Sequence, residues 1–209
     1  MKKFLIVILL LNNLIFIFSC SSYKKITNNT IQKNKLTSPF DSSFNKILFK
    51  SKIYFYKKYY TGLLFIKQTS VADYRIVFIS EIGKKIFDFE LNKNNFTVKY
   101  ILPVINKKIL IKTLKKDFSL MLLSNISSNK TTEFKNDSLT MYKFKNLYGK
   151  NFIYYKNNNL ILLENANKIR KIISISYKNY KNNFPNTINI KHKNIKLRLN
   201  LNTIKQNVN

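Results

Sequence analysis

The feature that most limits how this chain can fold is a period of two in its apolar residues, sustained over most of its length. Ile47, Phe49, Ser51, Ile53 and Phe55 alternate with Lys46, Leu48, Lys50, Lys52 and Tyr54. Thr61, Leu63 and Phe65 face away from Gly62, Leu64 and Ile66, and Tyr74, Ile76 and Phe78 continue the pattern to a turn at Glu81–Lys84. Phe87, Phe89 and Leu91 then alternate with Ile86, Asp88 and Glu90. Phe96, Val98, Tyr100 and Leu102 form the next apolar face, which Pro103 stops. Successive side chains of a strand point to opposite faces, so this repeat predicts strands with one greasy side.

The period changes once. Ile105, Ile109, Leu110, Leu114, Phe118, Met121 and Leu122 recur at three and four, with Lys107, Lys108, Lys112, Lys115 and Lys116 between them. That spacing predicts an amphipathic helix of about 17 residues, whose apolar face must lie against a sheet because strands flank it. Ser124 to Ser138 reads as a polar loop. Period two returns at Tyr142 and Phe144, at Phe152 and Tyr154, from Leu160 to Leu163, and at Ile169, Ile173, Ile175 and Tyr177, a face interrupted by Lys171. It continues at Ile188 and Ile190, and ends with Ile195, Leu197, Leu199 and Leu201. The expected fold is mainly β with one prominent helix: an open antiparallel β-barrel of about eleven strands covered by that helix. A single domain over residues 44–205 accounts for the patterned region.

Composition excludes much chemistry. With one Cys and one His, no structural zinc site and no intramolecular disulfide can form. Three glycines cannot build a repeated phosphate-cradling loop. The 38 Lys plus Arg against 9 Asp plus Glu give a net charge of +29. Only Arg75, Arg170 and Arg198 are Arg, however, and the Lys residues run along the whole chain. Abundant Ile, Asn, Lys, Phe and Tyr, with Ala only at Ala72 and Ala166, mark a coding sequence rich in A and T, which inflates Lys. A nucleic-acid binder concentrates Arg on one face, so nucleic acid is not the expected partner. The acidic residues form no locally spaced acid/base pair, no Gly-x-Ser-x-Gly elbow occurs, and His192 ends the Ile188, Ile190 face. The expectation is a protein that is not an enzyme and carries no cofactor or metal: catalytic residues, none.

The N-terminus supplies an address. Lys2 and Lys3 precede an apolar run from Phe4 to Phe18, broken by Asn12 and Asn13, which is too short for a membrane span of about 20 residues. It reads as a signal peptide over residues 1–19. Its end, Ile17-Phe18-Ser19-Cys20, resembles the lipobox of bacterial lipoproteins, with Phe18 bulkier than the family's usual residue. The resemblance implies cleavage before Cys20 and acylation of that residue, hence a membrane partner. The segment 20–43, rich in Ser, Thr, Asn, Lys and Gln, then serves as a flexible tether reaching on the order of 25 Å. Ser21, Ser22, Tyr23, Lys24 and Lys25 resemble neither an inner-membrane retention signal nor an acidic surface-export tag. That implies the outer membrane, facing the periplasm.

Five strands, a helix and six more strands behind a lipobox resemble the lipoprotein carrier and receptor family of the Lol pathway. The segment Tyr60–Leu123 also resembles small lipoproteins of Bacteroidota. The first resemblance implies an unclosed barrel with a helical lid over an apolar cavity that shields acyl chains of lipids or lipoproteins. Its lining residues would be Phe65, Phe78, Phe87, Phe89, Phe96, Val98 and Tyr100 from the strands, with Leu114 and Phe118 from the helix. Ile82 would correspond to the exposed Leu on the receptor's protruding loop. The same residues would equally fill a dry core, since small barrels are usually packed with side chains. The alternative is therefore a non-enzymatic structural or interaction lipoprotein of the envelope.

Overall fold

In the computed structural model, residues 30–32, 36–40, 44–92, 95–124, 131–136 and 138–208 are described. The signal-peptide segment, Cys20 and most of the tether lie outside the described residues. Six strands come first: β1 (Thr30–Gln32), β2 (Phe44–Phe55), β3 (Lys58–Ser70), β4 (Asp73–Ser80), β5 (Lys85–Leu91) and β6 (Phe96–Ile101). A 3-10 turn at Pro103–Ile105 leads into helix α1 (Lys108–Met121). Seven strands follow: β7 (Thr131–Asn136), β8 (Leu139–Asn146), β9 (Gly149–Lys156), β10 (Asn159–Ala166), β11 (Lys171–Lys181), β12 (Phe184–His192) and β13 (Leu197–Val208).

Among the described residues these make one 13-stranded sheet in the order β1-β7-β8-β9-β10-β11-β12-β13-β2-β3-β4-β5-β6. Neighbouring strands pair antiparallel, and the edges β1 and β6 do not pair with each other. The architecture is thus an unclosed, curled antiparallel sheet with one helix. The chain leaves at the β6 edge and re-enters at β7, beside the other edge, so α1 is the connection that bridges the open seam. The C-terminal strand β13 pairs with β2 and zips the two halves together.

Two strands exceed the expected eleven or so, and both lie where the composition is polar. β7 falls in the stretch read as a loop, and β1 in the stretch read as tether; the two pair with each other at the sheet edge. Further on, Tyr155 Oη donates to the Thr37 carbonyl (2.7 Å), and Phe40 is buried edge-on against Phe184. The helix is 14 residues rather than 17, because Pro103 starts a 3-10 turn that buries Ile105 separately.

The core lies on the concave face, formed by alternate residues of β2–β5 and β8–β13 together with α1. Tight turns let the strands return. Asn157 and Asn158 (φ 48° and 64°), and Asn182 and Asn183 (φ 49° and 59°), sit in the left-handed region that two-residue hairpins of this hand require. Gly62 answers to a different demand: a Cβ there would lie 2.0 Å from the Ile79 carbonyl oxygen, so β3 and β4 could not approach.

Candidate functional site

The interior beneath α1 is the part of the fold with the shape of a binding site. Leu110, Leu114, Phe118 and Met121 line one stripe of the helix and are buried, and from Asp117 onward the helix is buried on every side. Its ends carry no side-chain cap, no acidic residue in the first turn and no basic residue in the last. Neither capping nor dipole complementation holds this helix in place. Packing does, together with three polar ties.

The packing is aromatic. Phe87 stacks on Phe89 (4.5 Å between centroids, 5° between planes), touches Phe78 (5.4 Å) and meets Phe118 of the helix (6.1 Å). Phe96 extends the cluster to the β6 edge, 4.9 Å from Phe89. Between helix and sheet a residual gap of ≈ 10 Å³ remains, bounded by Ile53, Phe55, Tyr60, Phe78, Phe87, Ile105, Leu110 and Leu114. That is room for a single water at most, so the helix–sheet interface is filled by side chains.

The nine residues expected to line a cavity divide. Phe78, Phe87, Phe89, Leu114 and Phe118 are buried at the helix–sheet interface, and Phe96 is half-buried beside them. Phe65 is on the other face. The buried residues of β3 are Gly62, Leu64 and Ile66, and Phe65 pairs with Leu48 and Val77 on the convex side. Either face of this strand is apolar, so its alternation could not say which one turns inward. Val98 and Tyr100 do not share a face. A register shift at Lys99 pairs Val98 with inward-facing Phe89 but Tyr100 with Asp88. An extra residue of this kind flips the alternation beyond it. Both are over a third exposed, and Tyr100 lies outside under Lys85 Nζ (5.9 Å).

The ties between helix and barrel were not visible in the sequence, because their partners are far apart in it. His192 Nε2 lies 2.8 Å from Asp117 Oδ1, with both side chains almost wholly buried. His192 Nδ1 lies 3.0 Å from the Leu197 carbonyl oxygen. A carbonyl only accepts, so Nδ1 carries hydrogen and donates to it, and the Asp117 contact shares a further proton. Burial pushes the Asp117 carboxyl above its usual range, and His192 only partly offsets this. Burial works against protonated His192, but the Asp117 carboxylate and the Leu197 carbonyl outweigh it and hold the imidazole above 6.5. Asp117 Oδ2 has no partner. Tyr177 Oη donates to the Met121 carbonyl (3.1 Å), and Tyr148 Oη donates to Ser119 Oγ (3.1 Å). Behind Tyr148, Asn165 Nδ2 donates to Asn151 Oδ1 (2.8 Å) and to the Tyr148 carbonyl (3.1 Å).

Asp88, on the face of β5 opposite Phe87 and Phe89, is nevertheless buried. It accepts two hydrogen bonds from Arg75 (3.0 Å each) and one from Lys85 (3.3 Å). The Arg75 guanidinium holds its carboxyl below the usual range. Among the described residues no three His, Cys, Asp or Glu lie together as a metal site, and no helix is long and apolar enough to cross a membrane.

No protein-family model matches the sequence, and no curated protein matches it. Solved structures do. A LolA superfamily protein from Nitrosomonas europaea superposes with a TM-score of 0.54 at 9% identity, covering 81% of this chain and 89% of its own. An outer membrane lipoprotein-sorting protein domain from Vibrio parahaemolyticus gives 0.46 at 9% identity, covering 81% and 87%. The first likeness establishes a LolA-like fold: an open curled sheet covered by a helix.

Proposed function

We propose that this chain is a lipid-anchored lipoprotein of the bacterial envelope whose curled sheet shelters an acyl chain, of a lipid or of another lipoprotein, beneath α1. The observation that carries the reading is the cover. A single uncapped helix, the element between edge strand β6 and β7, lies on an otherwise apolar interior, with Phe118 against Phe87 of the Phe78, Phe87, Phe89 cluster. Displacing it would open a chamber lined by Phe78, Phe87, Phe89, Phe96 and Leu114, with Phe65 and Tyr100 left outside. An acyl chain replacing the helix face gains about 0.8 kcal/mol per buried methylene, against re-exposure of the same kind of surface on α1. The exchange is near balance, which suits a carrier that must also release. The LolA-like fold and the lipobox ending at Cys20 support the reading. The sequence after Cys20 favours the outer membrane facing the periplasm, in a small lipoprotein of the Bacteroidota kind. The activity is non-covalent, with no cofactor.

A second reading, a packed envelope scaffold, is favoured by the ≈ 10 Å³ gap, which leaves no room for a ligand without movement. Native mass spectrometry of the full chain purified from a bacterial envelope separates the two. The carrier reading expects a co-purified phospholipid or acyl species released on unfolding, and uptake of a fluorescent fatty acid. Empty protein that takes up none establishes the scaffold. The same spectra report a diacylglyceryl mass at Cys20, or its absence.

A further inference from the structure

The two ends of the barrel are built from different residues. At one end lie the connections β2–β3, β4–β5, β6–α1, β8–β9, β10–β11 and β12–β13. Five of these six present one large apolar side chain to solvent: Tyr56, Ile82, Val104, Leu147 and Ile169, exposed by between 52% (Val104) and 91% (Ile169). Basic residues flank every one, among them Lys57, Lys84, Lys107, Lys145 and Lys168, all exposed. The sixth connection carries Lys193 and Lys196 around half-buried Ile195. Glu81 is the one carboxylate within the six connections. At the other end the described two-residue hairpin turns are Val71–Ala72, Asn157–Asn158 and Asn182–Asn183; exposed Val71 is their one large apolar tip, and exposed Lys156 and Lys181 stand directly before the two Asn turns. A coding sequence rich in A and T explains many Lys and Ile, but not the gathering of five apolar tips at this end, among the described residues, against Val71 in the opposite turns.

Beside the β2–β3 and β12–β13 turns the same rim holds a groove of ≈ 990 Å³, lined among others by Tyr54, Tyr56, Lys191, Lys193, Lys196 and Arg198. Lys191 and Arg198 stand directly opposite each other in the ladder, and neither has a carboxylate partner among the described residues. Glu164, which also borders the groove, is bound to Lys171 and Tyr154. Like charges directly opposed across a ladder destabilise it unless an anion lies between them.

The geometry points to this rim as a docking surface for an anionic phospholipid bilayer: the apolar tips enter the interface, the Lys residues meet the phosphates, and a headgroup phosphate sits between Lys191 and Arg198. Isolated aliphatic tips ringed by long basic side chains suit the boundary between acyl chains and headgroups. A nucleic acid has no use for the aliphatic tips. A second copy of the rim would be repelled by its own charge. Docked this way, the β6–α1 connection and the start of the helix face the lipid.

The test uses the absence of Trp from this chain. I169W, L147W, I82W and, at the opposite end, V71W each give the full chain a single Trp reporter. Each is mixed with phosphatidylcholine vesicles with or without about a third phosphatidylglycerol, and with a brominated lipid as quencher. The expected result is a blue shift and quenching for the three rim reporters in anionic vesicles, weakened by salt, with V71W unchanged. Apparent affinity should be roughly tenfold or more higher than for neutral vesicles. Equal response of V71W, or silence at the rim, overturns the inference. So does an equal shift caused without vesicles by inorganic phosphate or by a DNA oligonucleotide. Flotation with neutral vesicles, with the rim reporters silent in anionic ones as well, would leave the anchor standing and the docking surface refuted. Rim response on anionic vesicles, without any flotation on neutral ones, would do the reverse.

Discussion

Asp117 and His192 form the residue pair on which α1 turns, and their shared proton gives the protein a pH dependence of predictable sign. Both groups hold protons more tightly folded than unfolded, so the folded state binds more and stability falls as pH rises. The His192 contribution is complete below 6.5 and is lost through its raised folded value. D117N reverses the slope. The amide donates to neutral Nε2, the imidazole is then buried without an acceptor for a second proton, and stability falls as pH drops below about 6.5. D117A, which leaves His192 alone in the core, should cost roughly 3–5 kcal/mol. Urea unfolding at several pH values measures both; parallel slopes in the parent chain and D117N would refute the shared proton. Sequence could not have found this pair, since 75 residues separate its members and His192 sits at an ordinary strand end.

The strands and the helix were largely legible, because period two and period 3.6 are imposed by burial of one face. What stayed hidden has physical causes. β3 is apolar on both faces, so its inward side depends on neighbours. The irregularity at Lys99 rotates the end of β6. β1 and β7 pair only at an edge and carry no greasy side to betray them. Of the expected lining residues, those on cleanly amphipathic elements (Phe87, Phe89, Leu114, Phe118) lie under the helix, and those misplaced belong to β3 and β6. Turn chemistry is the other legible layer. Asn158 at φ 64° predicts that N158G leaves stability within about 0.5 kcal/mol of the parent, while the β-branched N158V costs about 1–2 kcal/mol. Thermal unfolding of the two variants checks the difference.

At the scale of the whole molecule, a charge of +29 on 209 residues means that the folded state repels itself. Self-repulsion of surface charge is screened within about 10 Å at 0.1 M salt. Raising sodium chloride from 10 to 150 mM should therefore raise the melting temperature by several degrees, most of the gain coming at the low end. A melting temperature independent of salt would show the surface charges to be already balanced locally. The order of strands carries a further consequence, for synthesis. The last strand, β13, lies in the middle of the sheet, joining β12 to β2, the first long strand to be made. Until β13 (Leu197–Val208) emerges, a nascent chain holds two half-sheets with unzipped edges and no enclosed core. Contacts this distant along the chain form late and slowly. If such a chain crossed a membrane before folding, the position of β13 would be a built-in delay that keeps it threadable until that strand has been made.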